Sequence, residues 1–459
     1  MTIGNFRFGT RKGALLGAAS LLVLGLAAGG QAQAGEILFD FNRNALGEPA
    51  NASVFLFGKP GQTASVTTLS GFSQNVVLGA DGFFNLPIPN SFQQSGTGVV
   101  NTGFRVVSPD PIAGYFVNRA IVSTDSTYLL DTSALGNNYV VASQGNGFGE
   151  GSQVAIHATQ NNTQVTFTPR GQAQINVTLQ AGETYKYAGG SNDLTGSLVA
   201  ADKPVAVFGG NECAQVPSGR TYCDTLVEQM IPTSKLSDEY LLAASKGANI
   251  AGNDLVRVIA TQDNTQVRVN GVVVATLNTG DTHEFSLAAN TGAKVEASAP
   301  VMVAQYLTGG ELLDTDPALS LVPGADTWLK AYRLATPSGD QAFLINYAAI
   351  VIAFDDLASL LLDGIAVDTS GFTQIAGTNY YRGLVNLPLG LFDLTAANPF
   401  LVMLGGGSQA DSYFTYGGST FAPGISPPPP PVGVPEPASL MLLGAGLAGL
   451  VLVRRRRRA

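Results

Sequence analysis

Between residues 35 and 421, apolar and polar positions alternate in short runs, as at Val205 and Val207 or Val267 and Val269, and polar turns interrupt them. A period of two puts one side of each run in a core and the other in water, so the pattern predicts sheets packed face to face. Asn270-Gly271 and Asp363-Gly364 suit tight hairpin turns, because these residue types tolerate positive φ. A longer period lies over the short one. ATQNNTQV at 158–165 recurs as ATQDNTQV at 260–267, and LQAGETYKY at 179–187 recurs as LNTGDTHEF at 277–285 and more loosely as LGADGFFNL at 78–86. SLVAADKPVAVFGG at 197–210 is matched by KVEASAPVMVAQYL at 294–307, SPDPIAGYFVN at 108–118 and AANPFLVML at 396–404.

In phase, the units begin at Gly35, Gly136, Ser237 and about Leu329, with spacings of 101, 101 and 92 residues. The expected organisation is four units, 35–135, 136–236, 237–328 and 329–421. The fold class is all-β, as tandem β-sandwich-like repeats. A β-propeller is the alternative, although a blade usually takes only about 40 to 50 residues. Proline recurs at Pro111, Pro204, Pro300 and Pro399, ahead of an apolar strand, which places it at a sheet edge or where a strand begins. VFGGN and MLGGG read as strand-ending turns, since no helical pattern follows either.

Two longer apolar runs break the pattern. Arg7, Arg11 and Lys12 precede an apolar stretch from Ala14 to Ala28 and the small-residue sequence Ala32-Gln33-Ala34, the build of a secretory signal peptide over 1–34 with cleavage between Ala34 and Gly35. At the other end, residues 422–434 hold the five prolines Pro427 to Pro431, which favour an extended polyproline II stalk. An uncharged span, 438–453, follows and ends in Arg454, Arg455, Arg456, Arg457 and Arg458. That span is just long enough for a transmembrane helix, with the arginines held on the cytoplasmic side.

Composition then narrows the function. Without residues 1–34 and the terminal arginines, 16 basic residues face 33 acidic ones, a net charge of −17 that repels nucleic acid and anionic lipid. About 390 residues exceed the size, roughly 250 to 300, at which one core stops growing, so several domains are expected. Cys213 and Cys223 lie in one turn-rich stretch, NECAQVPSGRTYC, and in an oxidising compartment they are expected to form a disulfide. No CxxC or nearby histidine accompanies them, so zinc is not implied.

Two family resemblances rest on these segments. Pro435, Glu436 and Pro437, the apolar span and the arginine cluster, in that order over 435–459, resemble the PEP-CTERM sorting signal of Gram-negative bacteria. The resemblance implies processing by an exosortase and delivery to the cell envelope or the extracellular matrix, in association with exopolysaccharide. The run DLTGSLVAADKPVAVFGGNECAQVPSGRTYCDTLVEQMIPTSKL at 193–236 is similar to the IgGFc-binding protein amino-terminal domain, and DPALSLVP (316–323), LLLDG (360–364) and DSYFTYGG (411–418) fit the same pattern. That resemblance implies an extracellular binding or matrix role. It supplies no catalytic residues.

The candidate chemistry is sparse. His157 and His283 sit in strand-like runs without a motif partner, and no nucleophile elbow, P-loop or dinucleotide fingerprint occurs. Asp224 and Glu228 are four apart and read as turn residues that cap or bond the disulfide loop. Asp314 with Asp316, or Asp355 with Asp356, could be read as calcium ligands, but no EF-hand or repeat-toxin spacing accompanies them, and no metal or cofactor is expected. Tyr185, Tyr187, Tyr306 and Tyr413 could stack on sugars, although packing residues are the commoner fate. The expected protein is a non-enzymatic surface or matrix protein, adhesive or purely structural, whose partners are an exosortase and exopolysaccharide or a surface glycoprotein. A matrix polysaccharide hydrolase is the least favoured alternative.

Overall fold

Three strands of unusual length, Leu198–Ala214, Gly292–Leu307 and Gly390–Ser408, organise the body of this computed structural model. The structure describes residues 34–44, 52–246, 253–310, 315–339 and 342–424. The signal segment before Ala34, the stalk beyond Gly424, the span 438–453 and the sorting tail lie outside the described residues. Among the described residues no helix is long and apolar enough to cross a membrane.

Each long strand serves two antiparallel sheets. The first part of Leu198–Ala214 pairs with Gly136–Val140 and Thr163–Thr168, and its second part pairs with Ser152–Ala158 and Asp224–Gln229. Gly292–Leu307 repeats the arrangement with Ser237–Ala243 and Thr265–Val269, then with Asp254–Ala260 and Ala318–Leu321. Gly390–Ser408 does so with Leu329–Thr336 and Leu361–Leu362, then with Ile345–Ala353 and Asp411–Tyr416. In the first unit the long strand is split. Phe104–Ser108 joins Gly35–Phe39 and Thr63–Thr68 in one sheet, while Ala113–Ala120 joins Ser53–Phe57 and Ser123–Tyr128 in another. The fold is therefore all-β, built from curled sheet pairs, and in three of the four units one strand continues through both sheets.

The recurring prolines mark the point of transfer between sheets. Pro111 lies between two strands, but Pro204, Pro300 and Pro399 sit inside the long strands and not where they begin. Opposite each of these three the ladder skips. Gly136 faces Val205 while Asn138 faces Ala200, Ser237 faces Val301 while Glu239 faces Glu296, and Leu329 faces Phe400 while Ala331 faces Thr395. A residue with no amide donor is tolerated there because the strand makes no ladder bond while it changes sheets.

One tyrosine closes each of these gaps. Tyr139 Oη accepts from Gly136 N (2.8 Å) and donates to Val205 O (2.6 Å). Tyr240 bridges Ser237 N (2.9 Å) and Val301 O (2.5 Å), and Tyr332 bridges Leu329 N (3.0 Å) and Phe400 O (2.5 Å). Burial pushes all three phenols above their ordinary pKa, so each hydroxyl stays a donor. The first unit carries Leu38 at this place, and there Gly35 N bonds Asp110 O directly (3.2 Å). Tyr240→Phe leaves a buried amide and a buried carbonyl unsatisfied and is expected to lower unfolding free energy by about 1–3 kcal/mol in urea denaturation. Tyr380→Phe, whose ring is only half-buried, is the control and should change it by less than about 0.5 kcal/mol.

Alternation gives way to continuous burial in Ser123–Tyr128, Asp224–Gln229, Ala318–Leu321 and Asp411–Tyr416, every residue of which is buried. Such strands are covered on both faces. One cluster of buried apolar side chains runs through all four units.

Candidate functional site: a polar axis shared by four strands

The four fully buried strands pack against one another in a ring. Ser123–Tyr128 lies against Asp224–Gln229, which lies against Ala318–Leu321, then Asp411–Tyr416, which returns to the first. Each is the innermost strand of its unit. The sequences STDSTY, DTLVEQ, DPALSL and DSYFTY thus come into phase, and three of them are the segments CDTLVEQ, DPALSLVP and DSYFTYGG that carried the family resemblance.

Asp125 occupies the centre of this ring. Its carboxylate accepts amide protons from Ser126 (2.9 Å), Val227 (3.0 Å), Leu319 (3.1 Å) and Phe414, one from the equivalent position of each strand. Burial pushes the carboxyl well above the usual range, against the pull of those amides. Nothing in the sequence singled out STDSTY on its own. The available signal was its phase with the other three segments, in which only the first places a carboxylate at the third position.

Asp224 and Glu228 belong to the same axis, not to the disulfide loop as the sequence suggested. Ser123 Oγ (2.5 Å) and Thr225 N (2.6 Å) donate to Asp224, and Leu321 N donates to Glu228 (2.8 Å). The two carboxylates therefore reach into neighbouring units, because the strand runs into the ring instead of capping a turn. Burial, joined by the charges of Asp316 and Asp411, pushes Asp224 well above the usual carboxylate range. Burial also raises Asp411, to about 6, against the Arg119 guanidinium 3.5 Å away, which stacks in turn on the Phe343 ring (4.8 Å).

A second carboxyl behaves alike. Asp254 is pushed to about 6 by burial, although Ser245 and Gln305 donate to it. Raised acids favour the folded state while protonated, so their contribution is complete below pH of about 4 and is lost as pH rises through about 6. Unfolding free energy is expected to fall by roughly 1–3 kcal/mol between pH 4 and pH 7, and Asp254→Asn should remove part of that slope in urea denaturation across pH.

A second polar network lies between the first two units. His157 Nδ1 is 3.3 Å from Asp40 Oδ2, and both side chains are fully buried. Burial raises Asp40, but His157 and bonds from Gln94 and Thr184 outweigh it and hold the carboxyl below its ordinary value. Nearby, Asn44 Nδ2 donates to Asn118 O (3.2 Å) and to Ser123 O (3.1 Å) at the head of the axis.

The remaining sequence candidates fall elsewhere. Cys213 and Cys223 form a disulfide with Cα atoms 5.1 Å apart, and the loop it closes is tied to the third unit by Gly309 N bonding Val216 O (3.0 Å). His283 lies on Thr282–Leu287 beside Phe285. Tyr306 and Tyr413 are buried in the core, Tyr185 is nearly so, and Tyr187 packs edge-on against Phe167. Asp356 accepts from Asn398 Nδ2 (2.9 Å). Among the described residues no group of acidic, histidine or cysteine side chains is placed to hold a metal ion. Asp314, Pro435, Glu436, Pro437 and Arg454 to Arg458 lie outside the described residues.

The two ends of the axis differ. Where the axial strands end, Ala34 and Gly35 share a cavity with Tyr128, Phe421 and Gly424, and Tyr128 Oη donates to Ala422 O (3.0 Å). Where they begin, tight turns project. Ile121 and Val122 are 63% and 57% exposed, and Leu344, next to Phe343, is 80% exposed. Val122 holds φ at +50°, a strained conformation for a β-branched residue.

The family described as IgGFc binding protein matches residues 125–406, from the axial aspartate to the last long strand, and the PEP-CTERM protein-sorting motif matches 433–458. The human IgGFc-binding protein is 28% identical over 261 residues, which cover 53% of this chain and 5% of that much longer protein. A solved structure described as a tetra-tandem repeat in the extending region of a large adhesion protein covers 82% of this chain and 93% of its own. It is 12% identical with a TM-score of 0.11, too low to bear on the fold. The sorting motif marks an exported protein of the bacterial cell envelope, and with the family match extending over more than half its length, the chain belongs to the IgGFc-binding protein family.

Proposed function

We propose that this protein is a non-enzymatic, stalk-mounted component of the cell surface or exopolysaccharide matrix, and that it binds through the end of the axis where the turns project. The observation that carries this reading is the polarity of the body. Gly35, where the mature chain would begin, and Gly424, which leads to the proline stalk, line one cavity at one end. The exposed tips Ile121, Val122 and Leu344 stand at the other, and a strained valine held in the open fits a contact site better than a packing role. A tether at one end directs the opposite end outward. A binding role also agrees with the buried acids, which are committed to hydrogen bonds within the axis and face no open cleft.

The sorting signal supports exosortase processing near Pro435-Glu436-Pro437 and a place in the matrix. Two experiments test the reading. Native exopolysaccharide should retain the purified protein, and the triple variant Ile121→Ser, Val122→Asn, Leu344→Ser should lose at least about ten-fold in retention without loss of thermal stability. If the unmodified protein is not retained, the purely structural reading replaces the adhesive one, and release of reducing sugar would establish a hydrolase. Deleting residues 435–459 should abolish surface display, and unchanged display would refute the sorting role.

A further inference from the structure

Lys186 is fully buried on the strand Thr184–Gly190 of the second unit. Three oxygens surround its Nζ. Gln153 Oε1 is in direct contact, Asn42 Oδ1 lies at 3.4 Å and Glu150 Oε2 at 3.9 Å. Gln153 is otherwise engaged, since its amide accepts from Arg43 N (3.1 Å) and donates to Arg43 O (2.8 Å). Asn42 and Glu150 differ. The Asn42 side chain is buried, yet its Nδ2 has no hydrogen-bond partner, and neither has Glu150 Oε2, the oxygen turned toward the lysine.

We propose that Lys186 and Asn42 form an intramolecular isopeptide bond, with Glu150 as the proton carrier. The Lys186 ammonium gives a proton to the Glu150 carboxylate, and the neutral amine attacks Asn42 Cγ. As the C–Nδ2 bond breaks, the attacking nitrogen gives up its second proton and keeps one, the departing nitrogen takes that proton together with the one held by Glu150, and ammonium leaves with Glu150 restored as a carboxylate. One N–C bond replaces another, so no oxidant or activating group is needed. The leaving atom is the buried nitrogen that found no partner, and its departure relieves that desolvation.

Position and electrostatics favour the step. Burial lowers the Lys186 pKa to about 8 in spite of Glu150, Asp40 and Glu212 nearby, so a neutral amine is within reach at physiological pH. The same burial keeps water from competing for the amide carbon. Gln153, held at both ends of its amide by the Arg43 backbone, fixes the amine beside Asn42 and is not the electrophile. Because Asn42 follows the strand Gly35–Phe39, the bond joins the first unit covalently to the second. This inference is independent of the ligand proposed above.

Intact-mass measurement of the exported protein, after reduction of the disulfide, tests it. The mass should be lower by one ammonia than the processed sequence requires, and digestion should yield a branched peptide joining residues 42 and 186. Lys186→Arg should restore the full mass, and Glu150→Gln should slow bond formation roughly 100-fold when newly folded protein is followed on denaturing gels. An intact mass equal to that of the unlinked chain overturns the proposal, as does a branched peptide joining 186 to 153. If the unlinked mass is found, the lysine is an ammonium shared among three oxygens.

Discussion

Replacing Asp125 with alanine is expected to lower the unfolding free energy by about 3–5 kcal/mol, the largest effect of any single polar substitution in the body. The substitution takes the acceptor away from four buried amides, those of Ser126, Val227, Leu319 and Phe414, each on a different strand of the ring. Water cannot replace it without opening the axis, and an unsatisfied buried donor costs about 1–3 kcal/mol before any relaxation. Asp125→Asn keeps one carbonyl oxygen in place and should cost less than the alanine variant. Urea denaturation followed by fluorescence gives both values. A loss below about 1 kcal/mol for Asp125→Ala would show that the ring is held by its apolar neighbours alone.

A methyl group at Gly210 should be at least as damaging. A Cβ there would stand 1.8 Å from Leu226 O and 2.7 Å from Leu226 C, both backbone atoms of the axial strand Asp224–Gln229. No rotamer change relieves a clash with backbone, so the axial strand must move away from the ring. Gly210→Ala is expected to cost more than about 4 kcal/mol and to leave little folded protein to purify. Gly371→Ala is the control, since a Cβ at Gly371 meets nothing within 4 Å and it should leave the thermal midpoint unchanged. Equal expression and melting of the two variants would contradict the close packing at Gly210.

These two positions show how far the sequence could be read. Alternation and the repeated ATQNNTQV and ATQDNTQV segments made the all-β class and the repeated phase legible, because both are local or periodic. The glycines of VFGGN and MLGGG read as strand-ending turns, since glycine most often bends a chain. Here they lie within Leu198–Ala214 and Gly390–Ser408, where the absence of a side chain lets another strand or a tyrosine ring approach. The prolines read as residues of a sheet edge or a strand entry for a similar reason, because propensity cannot express a strand that leaves one sheet for another. Asp224 and Glu228 were drawn toward the nearby disulfide loop, whereas their partners Ser123 and Leu321 lie about 90 to 100 positions away and meet them only when four units close into a ring. No local motif marks Asp125.

A single carboxylate bonded to four strands also fixes a number. Repeated sequences usually gain or lose copies easily, because each copy meets only its neighbours. In this protein the first unit gives an aspartate to the other three, and none of them carries a carboxylate at the matching place. A fifth copy would widen the ring beyond the span of two oxygens, and a missing one would leave it open on one side. Four like strands thus close around one carboxyl group, and four is the number of amides that the two oxygens of Asp125 serve.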